Sequence, residues 1–107
     1  MKVEVVEIYP YPNKGIYLER GSVHLFIKDL GLDIKNVPYH IKEEKTEKRH
    51  IYHVHVSQPY CVHKQPKEDG SIKAVSVPTI TFRDKHTWKE IKKVIQQEVL
   101  NQFDPQK

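Results

Sequence analysis

Seven histidines in 107 residues raise the first chemical question of this sequence. His53 and His55 flank a single valine, and Cys61-Val62-His63 follows shortly after. On a strand over residues 50–57, His53 and His55 point the same way, with side chains roughly 7 Å apart at their bases. Two imidazoles so placed can converge on one ion, and the Cys61 thiolate or the His63 imidazole can complete a tetrahedral zinc site. His24, on the corresponding face of an earlier strand, is a further candidate. The spacing matches no common structural zinc motif, and no Cys-x-x-Cys clamp is present. The competing reading is a row of surface or dimer-interface imidazoles, so the expectation is no cofactor, with zinc as the alternative.

Other catalytic chemistry is poorly represented. Cys61 has histidines nearby in sequence, but reactive Cys–His pairs are defined by geometry, and a small apolar filler is the simpler role. The four glycines stand isolated at 15, 21, 31 and 70, which excludes a Gly-rich phosphate loop. Carboxylates occur mostly beside lysines, leaving no isolated acid pair for general acid–base work. The expectation is a non-catalytic protein.

Composition bounds the remaining classes. Hydrophobic residues make up 37% and charged residues 30%, a polar but globular balance sufficient for one core in one domain over residues 1–107. A single cysteine forbids an intrachain disulfide and fits a reducing compartment. No stretch reads as a signal peptide or as the roughly 20 apolar residues that span a bilayer. A cytoplasmic, non-membrane protein is therefore expected. Eighteen basic and fourteen acidic residues give a net charge of +4, which favours polyanionic partners, although the two signs are interspersed.

The elements that must position these residues follow from periodicity. Residues 3–9 read as a β-branched strand, closed by a turn at Pro10, Pro12, Asn13 and Gly15, with a short extended piece over 16–19. Over residues 22–28, Val23, Leu25 and Ile27 share one face and Ser22, His24, Phe26 and Lys28 the other. Residues 32–42 are again extended, with Pro38 marking an edge position or a bulge. The charged run 42–49 reads as an exposed hairpin connection. Residues 50–57 place Tyr52, Val54 and Val56 opposite Ile51, His53, His55 and Ser57. Pro59, Pro66 and Asp69-Gly70 bracket a loop, and residues 72–82 are extended around Pro78.

Thr87-Trp88-Lys89-Glu90 reads as a capping box opening a C-terminal helix. Trp88, Ile91, Ile95, Val99 and Phe103 recur at helical spacing, Val94 and Leu100 broaden the stripe, and Pro105 ends it. The fold class is α+β: an antiparallel sheet of four to five strands with one C-terminal amphipathic helix. If that helix covers the aliphatic face, the mixed face with His24, Phe26, Ile51, His53 and His55 is left to suit a partly buried dimer surface.

Over about residues 22–103 the layout resembles the SpoVG (stage V sporulation protein G) family. The resemblance rests on Asp33-Ile34-Lys35-Asn36-Val37, then Ile51-Tyr52-His53-Val54-His55-Val56 ending at Pro59. Lys67-Glu68-Asp69-Gly70, Val77-Pro78 and the helix from Thr87 with Ile91, Val94 and Val99-Leu100 follow in the same order. The Ser-Arg or Ser-Lys usual after the family's first proline is replaced by Tyr60-Cys61-Val62-His63. The resemblance implies a strand-joined homodimer that binds DNA or RNA. The residues placed to serve are Lys64, Lys67, Lys73, Arg83 and Lys85, with His63 and His86, in the loops around the last strands, and Lys89, Lys92 and Lys93 on the helix. The functional expectation is a small dimeric nucleic-acid-binding protein of regulatory type. The alternatives are a non-catalytic zinc-binding protein, with His53, His55, Cys61 and His63 as ligands, or a protein–protein adaptor.

Overall fold

A computed structural model describes residues 2–104. Four strands, β1 (Val3–Pro10), β2 (Glu19–Ile27), β3 (Leu32–Lys45) and β4 (His50–Val56), form an antiparallel meander in the order β1-β2-β3-β4. A separate antiparallel ribbon of β5 (Tyr60–Pro66) and β6 (Ile72–Pro78) follows, and then helix α1 (Lys85–Gln102). The α+β class with a C-terminal helix is as expected.

Alternation in β2 and β3 puts Val23, Leu25, Ile27, Ile34, Val37, Tyr39 and Ile41 on one face of the sheet. The helix answers with Ile91, Ile95 and Val99, one per turn, and these residues join Val54 in a single buried core. Each aliphatic side chain fully buried there contributes about 1.5–3 kcal/mol. Tyr52 and Phe103 meet edge-on with ring centroids 5.4 Å apart, and Phe82 stacks on Trp88 at 5.5 Å, closing the two ends of the helix–sheet layer. Among the described residues, the opposite face of the sheet carries no helix.

Local structure departs from the periodicity at several points. Residues 16–18 belong to the turn region and β2 begins at Glu19. The first half of the 42–49 run is strand: Lys42, Glu43, Glu44 and Lys45 pair with His53, Tyr52, Ile51 and His50, so the hairpin connection is confined to residues 46–49. Cross-strand His–carboxylate contacts, His53–Glu44 at 2.8 Å and His50–Glu43, make a charged strand tolerable there. Pro38 lies in an interior strand, beyond the last β3–β4 pair at Tyr39 and Val56; its carbonyl accepts from the Ser57 N–H at 3.0 Å. The expected irregularity is a register shift beside it, where Asn36 takes φ 62°, a left-handed conformation that asparagine adopts more readily than most residues.

Residues 60–66 form strand β5 and not the expected loop. Tyr60 pairs with Pro78 and Pro66 with Ile72, the ribbon turning at Asp69-Gly70 with Gly70 at φ 88°. The extended run after the turn ends at Pro78, not at residue 82. The helix cap lies three residues before the expected one at Thr87. Asp84 is the N-cap: its carboxylate accepts from the His86 N–H at 3.0 Å and from the Thr87 hydroxyl at 3.1 Å. Thr87 therefore serves as a donor within the first turn, and Glu90 pairs with His86 at 3.1 Å instead of reaching back to Thr87. At the other end the Phe103 N–H donates to the Val99 carbonyl at 2.9 Å, and Pro105 lies outside the described residues.

Candidate functional site

The helix-free face of the sheet carries a transverse row at its β2–β3–β4 end. Arg20 is registered opposite His40, and His40 opposite His55. Tyr17 leans on His40 with centroids 4.2 Å apart, and His40 stacks on His55 at 4.9 Å with planes 16° apart. The Arg20 guanidinium lies over the Tyr11 ring at 5.5 Å, and the Lys42 ammonium over the Tyr17 ring at 5.6 Å.

Backbone contacts explain why these groups meet. The Leu18 N–H donates to the Ile41 carbonyl at 3.0 Å, drawing Tyr17 over β3, and the Tyr11 N–H donates to the Arg20 carbonyl at 2.8 Å. Between them, Gly21 permits close approach: a Cβ there would meet the Tyr9 carbonyl oxygen, with the Pro10 Cα and the Tyr39 hydroxyl both at 2.9 Å. That hydroxyl donates to Glu19 at 2.8 Å; burial and the Glu19 carboxylate push the Tyr39 phenol well above its ordinary range, so it remains a donor.

Beside the row is an open cleft of about 470 Å³, lined by Tyr11, Tyr17, Arg20, Asn36, His40 and Tyr60 among others. Desolvation, then the neighbouring His55 and Lys42, lowers the His40 pKa, so the imidazole is neutral at neutral pH and keeps one N–H donor. The far end of the same sheet face is acidic. Glu4 and Asp33 flank Phe26, Glu7 is registered opposite His24, and Asp33 contacts the His24 ring at 2.8 Å. One end of the face therefore offers aromatic rings and fixed cations, the other carboxylates.

The residues singled out from sequence fall in separate places. His53 bonds Glu44, and His55 is part of the aromatic row. Cys61 and His63 lie on one face of the ribbon, Sγ to Nε2 at 3.1 Å. Among the described residues, no three His, Cys, Asp or Glu side chains come together as a metal-holding group. Lys64, Lys67 and Lys73 are exposed on the ribbon and its turn, Arg83 and Lys85 flank the helix cap, and Lys89 and Lys93 are exposed on α1. Lys92 is half-buried with its ammonium 5.8 Å from the Trp88 ring centre. The helix lysines and the row are thus on opposite sides of the sheet.

Tyr11, Tyr17, Arg20, His40 and Lys42 were not distinguishable from ordinary surface residues in sequence. Their juxtaposition depends on strand register, and the alternation of His40 and Lys42 within the 32–42 run was the one local signal. In comparisons with protein-family models, curated proteins and solved structures, none matches this chain. Among the described residues no helix is long and apolar enough to cross a membrane.

Proposed function

We propose that this chain is a non-catalytic nucleic-acid-binding protein, acting as a homodimer, and that a single strand lies across the helix-free sheet face. The observation that carries the reading is the Arg20–His40–His55 row with Tyr11, Tyr17 and Lys42 on it. Sequence-tolerant single-strand binding combines aromatic platforms, on which bases stack, with cations that follow the phosphates. Tyr11, His55 and Tyr60 are exposed and leave ring surface for bases, while Arg20 and Lys42 supply fixed charge. The cleft is within the range of about 300–1,000 Å³ over which small ligands are held, so one nucleotide is a reasonable occupant.

The ribbon starts at Tyr60, at the lip of that cleft, and carries Lys64, Lys67 and Lys73 outward. These lysines extend the cationic track as phosphate contacts, which position a strand without reading its sequence. The resemblance in element order to the SpoVG family supports the same class of partner. The helix lysines Lys89, Lys92 and Lys93 are left out of this interface because of the side on which they lie.

Fluorescence anisotropy with labelled single- and double-stranded DNA and RNA at about 50 mM salt tests the reading. Binding is expected to be tighter to single strands than to duplexes of the same length. Absence of binding to all four at micromolar protein would overturn it and favour a protein–protein adaptor.

A further inference from the structure

The β2–β3 pairing breaks register at one point beside the cleft. Val23 is registered with Val37 and Leu25 with Ile34, so His24 stands opposite two residues, Lys35 and Asn36. Such a bulge takes its extra residue out of the ladder and re-aims a side chain. Ile34 and Val37 belong to the core, while the two residues between them are exposed outside it.

Asn36 holds a left-handed backbone, and among the described residues no other non-glycine has a positive φ. Asparagine tolerates that conformation partly because its short side chain can bond the nearby backbone. Asn13 makes a bond of this kind, its Oδ1 accepting from the Gly15 N–H at 3.0 Å. The Asn36 carboxamide makes none, and has no other hydrogen-bond partner among the described residues. Its donor and its acceptor are both open to a ligand. Asn36 lines the 470 Å³ cleft and also a neighbouring hollow of about 280 Å³ with Tyr9, Ser22, His24 and Lys35, so it stands at the wall between them.

A carboxamide suits a base edge better than a phosphate. A phosphate only accepts and uses the NH2 alone, whereas a base edge sets a donor beside an acceptor and engages Oδ1 and Nδ2 together. Two kinds of edge have that form: the lactam of uracil, thymine or guanine, and the amidine of cytosine or adenine. The surroundings separate them. Among the described residues lining the cleft there is no carboxylate, while Arg20 is in its wall and Lys42 stands over Tyr17. A carbonyl oxygen is favoured in that positive field, and an exocyclic amino group is not. The second lone pair of such a carbonyl can accept from the hydroxyl of Ser57 or Tyr60, both in the same wall.

We propose that Asn36 reads a base held in the cleft and selects a keto base (uracil, thymine or guanine) over cytosine and adenine. The inference rests on the single-strand reading above. To stacking rings and phosphate contacts, which are indifferent to sequence, it adds one position that is not.

The full chain is measured by anisotropy with labelled oligouridylate and oligocytidylate of one length, at neutral pH and about 50 mM salt. The two strands match in charge and ring size and differ at the edge that Asn36 meets. One bidentate pair discriminates by roughly 5- to 150-fold, so the wild type is expected to prefer oligouridylate by a factor in that range. Asn36→Gly keeps the left-handed backbone, which glycine adopts freely, and removes the amide, so the preference should vanish. Asn36→Asp keeps the shape and exchanges the NH2 donor for a charged acceptor. Its preference should turn toward oligocytidylate, whose N4 amino group donates. A merely structural role would not invert a base preference. Equal binding of the two strands by the wild type overturns the inference and leaves the single-strand reading standing. So does a preference that Asn36→Gly retains, or that Asn36→Asp does not shift toward oligocytidylate. Binding of neither strand overturns both.

Discussion

His40 and His55 face one another across β3 and β4 with their rings stacked, and Tyr17 covers the other side of His40. The stack desolvates His40, and His55 and Lys42 add like charge, so its folded pKa lies below the ordinary value of 6.5. The unfolded chain then takes up a proton first as pH falls. The contribution of this group to stability is complete above pH 6.5 and is lost as pH drops from there through the folded pKa. Denaturant unfolding at pH 5.5 and 7.5 should show a smaller difference for His40→Asn than for the wild type. An identical pH dependence in both would remove this account of the stack.

The helix start yields a second expectation. Asp84→Ala should destabilise the protein by about 1 kcal/mol through loss of the cap. Thr87→Ala, which removes a donor to that cap and leaves the His86 N–H bond in place, should cost less. Hydrogen bonds from Thr87 and His86 lower the Asp84 pKa, so the stabilisation from this carboxylate is present above the unfolded value near 3.8 and is lost as pH falls through the folded one. Thermal melts of both variants at pH 7 decide the order; a larger loss for Thr87→Ala would restore the capping box.

The core assignment is testable at Ile95, which is fully buried between helix and sheet. Ile95→Ala should cost about 2–5 kcal/mol, the range for large-to-small changes in packed cores. Gly21→Ala should also destabilise, since its methyl would meet the Tyr9 carbonyl and the Pro10 Cα, which are backbone and cannot swing aside. Urea unfolding measures both, and a neutral Gly21→Ala would contradict the close approach of β1 to β2.

How much was legible in the sequence depended on how local each signal was. The helix stripe Ile91, Ile95 and Val99 and the alternation of Val23, Leu25 and Ile27 are local, and both sets are buried as read. Thr87 and Glu90 fit a capping motif in sequence, but Asp84 pre-empts it by bonding both His86 and Thr87. Of the ribbon, β6 reads as extended but β5 reads as loop, because prolines bound it and His63, Lys64 and Gln65 break its apolar alternation. Cross-strand pairing with Val75 and Val77 compensates, and pairing is not a local property. The aromatic row was invisible for the same reason. Arg20, His40 and His55 become neighbours only through the registers of two strand pairs.

The salt dependence of binding distinguishes the two cationic groups. Contacts from Arg20, Lys42, Lys64, Lys67 and Lys73 would give a slope of about −3.5 for log affinity against log salt with a single strand. Lys64→Gln/Lys67→Gln/Lys73→Gln should reduce the slope to about −1.4. Lys89→Gln/Lys92→Gln/Lys93→Gln should leave it unchanged, because these side chains lie on the helix side of the sheet. Equal effects from the two triple variants would mean that charge acts without a defined track.

The most direct test is the affinity of Tyr11→Ala/His55→Ala for a labelled single-stranded oligonucleotide, measured by anisotropy beside the wild type at one fixed low salt concentration. Both side chains are exposed, so the fold should be retained, as circular dichroism can verify. Loss of stacking is worth about 1–3 kcal/mol per base, so the affinity should fall roughly 5- to 150-fold for each base that has lost its platform. A folded double variant that binds the strand as tightly as the wild type would contradict the assignment of the helix-free sheet face as the binding surface.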